Sequence, residues 1–220
     1  MYNEVTTKDG STTFFNEEVQ ETYHSESGAE EEAKKKYAEP VKKFLNKKDE
    51  IVIYDVCFGL GYNTAATLDE IKEKKIRIYC FENDKKILEK ITILNPSFQN
   101  YPKIKEFTHK FLTQKKEEQL EDNTELRMKY GDFKEKIKET IEPADYVLYD
   151  PFSPTKTPEM WSENIFKEIY KKMNPSGLLL TYSCARKVRD NMKKAGFEVY
   201  DGPIVGRRSP STIAKKPIRN

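Results

Sequence analysis

From Ile51 onward the chain alternates short apolar runs with stretches of helical period, and this alternation constrains its fold more than any other feature. Runs at 51–57, 76–81, 126–130, 146–149, 178–182 and 197–200, with a last edge at 212–214, have the length and the β-branched or aromatic content of strands. Helical period marks the stretches near 63–72, 85–94, 113–120, 133–140, 159–172 and 186–194. Strands that alternate with helices build a mostly parallel sheet covered on both faces, here of seven strands. The charge-dense stretch 115–123 reads as a solvated helix or loop. Ahead of the alternation, residues 5–15 read as a hairpin turning at Asp9-Gly10, where glycine supplies the positive φ. A helix follows over 29–46, with Glu30-Glu31-Glu32 before Lys34-Lys35-Lys36, an order that suits the helix dipole. Residues 1–48 are thus expected to pack as a lid on a core of residues 49–220, the two making one structural unit.

Composition removes the rival classes. The mean hydropathy of −0.84 and 35% charged residues would suit a disordered chain, but 12 Phe and 13 Tyr would not. The apolar runs are too short to span a membrane, and the opening residues lack a basic stretch followed by an apolar one. Cys57, Cys80 and Cys184 are too scattered for a zinc cage or a disulfide framework. Reduced thiols, no metal and a cytoplasmic location are the expectation.

The first strand run carries Asp55 and Cys57 into Phe58-Gly59-Leu60-Gly61-Tyr62-Asn63-Thr64. Glycines let backbone approach a ligand closely, and a helix N-terminus presents free N–H groups. The same spacing also serves a tight turn with no ligand. Glu82 ends the next strand, 21 residues after Gly61, where an acidic side chain accepts the ribose hydroxyls of a nucleotide. A dinucleotide loop has a further glycine where Thr64 stands, and a pyrophosphate does not suit the carboxylate of Asp55. S-adenosylmethionine does, because it carries a sulfonium and an ammonium. After the third strand, Tyr130-Gly131-Asp132-Phe133 offers Asp132 to an adenine amino group and Phe133 to its ring face. Asp132 equally suits a cap on the helix that starts at Phe133.

The fourth strand closes on Asp150-Pro151-Phe152-Ser153-Pro154, at the end where open α/β sheets hold ligands. A carboxylate there suits methylation of an amine, which it holds, deprotonates and aligns. Phe152 gives a face to a base or a cationic group. The plainer alternative is a turn in which Asp150 bonds local N–H groups.

Charge is uneven along the chain. From Asp150 to the C-terminus there are 14 Lys+Arg against 7 Asp+Glu, a net of +7 inside an overall +2. One reading is a basic rim of Lys156, Arg186, Lys187, Arg189, Arg207 and Arg208 aimed at phosphate. The others are a merely solvated surface, or an RNA contact made by the lysines between Lys34 and Lys48.

Four motifs resemble the methyltransferase domain of the bifunctional tRNA 5-methylaminomethyl-2-thiouridine biosynthesis proteins and its stand-alone relatives. They are Tyr23-His24-Ser25 with Gly28-Ala29-Glu30-Glu31; Phe58-Gly59-Leu60-Gly61-Tyr62-Asn63; Asp150-Pro151-Phe152-Ser153-Pro154 through Lys156, Pro158, Met160 and Trp161; and Ala185, Val188-Arg189, Ala195-Gly196-Phe197 with Gly206-Arg207-Arg208. The third is the most specific. Cys57 and Pro151 stand where that family has glycine, and Lys34-Lys35-Lys36-Tyr37 replaces its usual apolar run. No flavin oxidase domain is present in these 220 residues.

The resemblance implies an α/β fold of the Rossmann-like class I S-adenosylmethionine-dependent methyltransferase type. It implies Asp150 as the catalytic acceptor, and Asp55, Phe58, Gly59, Gly61, Asn63, Glu82, Asp132 and Phe133 around the cofactor. Tyr23, His24, Phe152, Lys156, Arg189, Arg207 and Arg208 would face the substrate, the anticodon arm of tRNA. His24 equally suits a structural hydrogen bond. The implied reaction is N-methylation of the 5-aminomethyl group of the wobble uridine. An aminopropyltransferase making polyamines, or a non-catalytic RNA-binding subunit of the same fold, are the rival readings. Oligomeric state is left open.

Overall fold

All seven apolar runs form strands in the computed structural model of the chain, which describes residues 1–45, 47–71, 74–206 and 208–218. They are β4 (Glu50–Val56), β5 (Lys75–Glu82), β7 (Thr124–Tyr130), β8 (Ala144–Tyr149), β9 (Met173–Thr181), β10 (Glu198–Ile204) and β11 (Pro210–Lys215). Three further strands lie in a separate N-terminal sheet: β1 (Tyr2–Thr6), β2 (Thr12–Asn16) and β3 (Glu21–Thr22). With β6 at Glu118–Glu121, the main sheet has order β10-β11-β9-β8-β4-β5-β7-β6, its five central strands parallel.

An eighth strand, β6 (Glu118–Glu121), extends the sheet where a helix over 113–120 was expected. The helix lies earlier, as α5 (Tyr101–Gln114), with Pro102 in its first turn and Tyr101, Ile104, Phe107 and Phe111 on its buried face. Lys115, left-handed at φ 58°, stops it, and the charged residues that follow pair antiparallel with β7.

Strand parity decides which core each side chain enters. Ile51, Ile53, Ile78 and Leu148 face one layer, made with α3 (Tyr62–Glu70), α4 (Lys85–Ile91) and α5. Tyr54, Val56, Phe81 and Tyr149 face the other, made with α6 (Phe133–Glu139), α7 (Glu163–Lys171) and α8 (Arg186–Lys194). Each large side chain fully buried there contributes about 1.5–3 kcal/mol.

The N-terminal helix expected over 29–46 is a rod of three contiguous pieces: α1 (Ala29–Glu32), a π-helical piece (Ala33–Ala38) and α2 (Glu39–Lys43); Asn46 lies outside the described residues. Pro40 has no N–H to give the carbonyl one α-turn back, so the ladder widens just upstream of it. The hairpin turn caps this rod: Ser11 Oγ accepts Ala29 N–H at 3.0 Å and Asp9 Oδ2 accepts Glu31 N–H at 3.1 Å. The π-helical piece packs on α3 and carries Lys36 and Tyr37 inward, both buried.

Candidate active site at the sheet's switch point

From β4 the chain winds outward to β5 and β7, and from β8 it winds the opposite way to β9. The carboxyl ends of β4 and β8 therefore part, which is where such sheets bind ligands. A cavity of about 820 Å³ opens there, between the loop after β4, the ends of β5 and β7, and the loop after β8.

The loop after β4 turns through three left-handed residues, Cys57 (φ 63°), Gly59 (φ 55°) and Gly61 (φ 74°). At Gly61 a Cβ would fall 2.6 Å from Ile104 Cγ2 and 2.9 Å from Phe58 Cζ, so only glycine fits. The positive φ at Cys57 is one that glycine adopts more readily. Glu82 holds this loop in place. Its Oε2 accepts Gly59 N–H at 2.8 Å, and its Oε1 accepts Asn83 and Asp84 N–H at 2.8 Å each. Burial pushes the Glu82 carboxyl up to about 7, although those N–H groups favour its charged form.

Asp55, Phe58, Gly61 and Asn63 are not among the cavity-lining residues. Asp55 is wholly buried beneath the loop; its Oδ2 accepts Thr64 Oγ1 at 2.6 Å, and Oδ1 has no hydrogen-bond partner. Burial raises it to about 8, so it braces the start of α3 rather than facing a ligand cation. Phe58 belongs to the core, where its N–H reaches Phe81 O at 2.9 Å.

Asp150 sits at the cavity wall after β8, with Tyr37 Oη donating to Oδ1 at 2.7 Å and Asn63 Nδ2 donating to Oδ2 at 2.9 Å. Burial, then the negative charge of Glu32, raises its carboxyl well above the usual range; Tyr37, Asn63 and Lys36 restrain the rise. A carboxylate so placed takes and releases a proton near neutrality.

The N-terminal sheet forms the roof. Tyr23 Oη donates to Asp84 Oδ2 at 2.7 Å, and its ring meets Phe152 edge-on at 4.9 Å. Tyr2 bonds the same oxygen, and Glu21 accepts Ser153 N–H at 3.0 Å, so the roof is tied to both banks of the cavity. His24 is buried, stacked on Tyr62 at 5.0 Å with Nδ1 3.2 Å from Thr13 Oγ1; burial lowers it to about 4, leaving it neutral. Opposite, Asp132 caps α6 through Lys134 N–H at 2.9 Å and also lines the cavity. Phe133 packs perpendicular to Phe81, 5.0 Å away.

The basic rim divides. Lys156, Arg186, Lys187 and Arg208 are exposed, and Arg207 lies outside the described residues. Arg189 does not belong to a rim: its guanidinium reaches Thr212 Oγ1 at 2.9 Å, Asp201 Oδ1 at 2.6 Å and Ser211 O at 3.0 Å, clamping α8 to the sheet edge.

Tyr37, Glu32 and Lys36 escaped the sequence reading, although a signal was there. With Ala29 and Ala33 they fall on one helical face at spacings of three and four, so two charged residues occupied core positions.

The raised carboxyls make a prediction. Unfolded, Asp55 and Glu82 titrate near about 4; folded, they hold their protons to about 8 and about 7. The folded state thus carries extra protons in between, and the stability of the ligand-free protein is expected to fall as pH rises through that window. Urea unfolding of the protein and of Asp55→Asn checks this: the variant has the shallower slope, and an equal slope would contradict it.

A sequence profile described as S-adenosyl-L-methionine-dependent methyltransferase matches residues 91–217, more than half of the chain. The chain therefore belongs to that family. It is 30% identical, over 96% of its length, to an uncharacterized protein of Methanocaldococcus jannaschii, of which it spans 59%. It is 27% identical, over 86% of its length, to the tRNA 5-methylaminomethyl-2-thiouridine biosynthesis bifunctional protein MnmC of Campylobacter hominis, of which it spans 29%. Among solved structures it resembles MNMC2 of Aquifex aeolicus, with a TM-score of 0.81, 28% identity and coverage of 100% of this chain and 73% of that one. A spermidine synthase, 14% identical with a TM-score of 0.60, shares the fold over 95% of this chain and 71% of its own.

The family's cofactor is S-adenosylmethionine, and the lining suits it: eight carboxylates against four ammonium groups favour a ligand bearing a sulfonium. Among the described residues no group of three or more His, Cys, Asp or Glu is arranged to hold a metal ion, and no helix is long and apolar enough to cross a membrane.

Proposed function

We propose that this protein methylates the 5-aminomethyl nitrogen of the tRNA wobble uridine in the cytoplasm, giving 5-methylaminomethyl(2-thio)uridine. The observation that carries this reading is Asp150: a carboxylate at the switch point, fixed through both oxygens and held near neutral titration. The similarity to MnmC proteins across most of the chain supports the same substrate. The bound donor supplies an electrophilic methyl group on its sulfonium. Asp150 receives the incoming ammonium, takes one of its protons and leaves the nitrogen lone pair free and aimed. Tyr37 and Asn63 keep the carboxylate from turning. Glu82 accepts a ribose hydroxyl on the lone pair that its three N–H partners leave open. Asp132 and Phe133 take the adenine, and Tyr23 with Phe152 encloses the reacting groups away from water. Asp55, Phe58, Gly59 and Gly61 shape the loop beneath the donor, and His24 stiffens the roof. Residues 1–48 act as that roof over a catalytic core of 49–220.

A direct test uses tRNA carrying the aminomethyl group. One methyl group per wobble base is expected to transfer, and acetylating the amine beforehand abolishes the transfer. Uptake that ignores acetylation would reject the amine as acceptor.

Phosphates of the anticodon arm would meet Lys156, Arg186, Lys187, Arg207 and Arg208, since Val205 and Gly206 line the cavity just before the two arginines. The Arg207→Ala/Arg208→Ala variant is expected to bind every tRNA more weakly, with a flatter salt dependence and unaltered donor affinity. An unchanged salt slope would move the RNA to the lysines between Lys34 and Lys48.

A further inference from the structure

The cavity must lodge the donor's α-carboxylate among eight carboxylates of its own. Three of the four ammonium groups in the lining, Lys85, Lys86 and Lys134, are exposed, where water screens them. The fourth, Lys36, is 4% exposed. Its Nζ donates to Glu32 Oε1, and its two remaining N–H donors have no acceptor among the described residues. Glu32 is itself fixed, accepting Ser25 N–H on Oε2 at 2.9 Å. The rod holds the pair beside Asp150, to which the adjacent Tyr37 donates. A buried ammonium with spare donors on a cavity wall has desolvation to recover, and a carboxylate restores it most fully.

We propose that Lys36, oriented by Glu32, is the binding residue for the α-carboxylate of the S-adenosylmethionine amino-acid end. This rests on the cofactor of the family and not on the tRNA substrate. It makes the site discriminate against a decarboxylated donor, whose amino-acid end is a cation only and leaves Lys36 unanswered. The aminopropyltransferase reading requires that decarboxylated donor.

Calorimetry with two probes tests the assignment. S-adenosylhomocysteine keeps the amino-acid end, whereas 5′-methylthioadenosine lacks it but keeps the adenosine and the sulfur. Lys36→Met is expected to weaken S-adenosylhomocysteine by roughly 10- to 150-fold, the range for hydrogen bonds to charged groups, and to leave 5′-methylthioadenosine unchanged. Glu32→Gln/Lys36→Met removes the Glu32 carboxylate together with its ammonium partner and serves where the single variant folds poorly. Equal weakening of both probes in the double variant would mean a collapsed cavity and overturn the assignment. So would unchanged binding of S-adenosylhomocysteine, with the loss appearing instead in binding of an aminomethyl nucleoside. If the wild type binds S-adenosylhomocysteine as predicted but no tRNA, the carboxylate site stands and only the RNA reading falls.

Discussion

Asp150→Asn is expected to lower the single-turnover rate of methyl transfer by about 10²- to 10⁴-fold, the range over which positioned acid–base groups act. Donor affinity should stay close to that of the wild type. The amide is nearly isosteric, so the ring of contacts around it persists. What changes is proton affinity: an amide oxygen does not take a proton from an ammonium near neutral pH. It also meets two donors, Tyr37 Oη and Asn63 Nδ2, with a single acceptor oxygen. One of those donors is left facing an NH₂ group, which costs about 1–3 kcal/mol of stability. Thermal unfolding with bound S-adenosylhomocysteine separates that cost from the catalytic one. In the wild type the rate should rise with pH along an acid limb lying above the usual carboxylate range, because burial and Glu32 hold the Asp150 proton on. A variant that keeps near-full rate with an unmoved limb would remove Asp150 from the chemistry.

Glu82→Gln is the next largest effect, with donor affinity weakened by roughly 10- to 150-fold. The carboxylate uses both oxygens on backbone N–H groups, one from Gly59 and two from Asn83 and Asp84. Glutamine has one acceptor oxygen, so its NH₂ must face an N–H on one side or the other. The Gly59 loop and the ribose contact are therefore damaged together. Calorimetry with S-adenosylhomocysteine measures the loss, and an undiminished affinity would show that Glu82 serves the loop alone.

The central sheet was legible because strand period, the glycine loop and the position of Glu82 are local signals. Asp55 was legible as a residue but not as a role, because only the packing of Thr64 against it shows that it lies behind the loop. Arg189 misled for a similar reason. Its charge looked available in the sequence, but Asp201 and Ser211, separated from it along the chain, occupy it. The helix at 101–114 was placed too late, at 113–120, and β6 was hidden by the charge of the stretch that forms it. The wiring of Asp150 could not be read locally, since Tyr37 reaches it from 113 positions away. Tyr37 lies on the rod whose ladder Pro40 distorts.

The most direct test of the central claim is nucleoside mass spectrometry of aminomethyl-bearing tRNA incubated with the protein and a donor labelled as trideuteriomethyl. One labelled methyl on the wobble uridine's aminomethyl nitrogen, absent with Asp150→Asn, is the predicted result. Label on any other nucleoside, or transfer from a decarboxylated donor to a free diamine while the tRNA stays unlabelled, would contradict it.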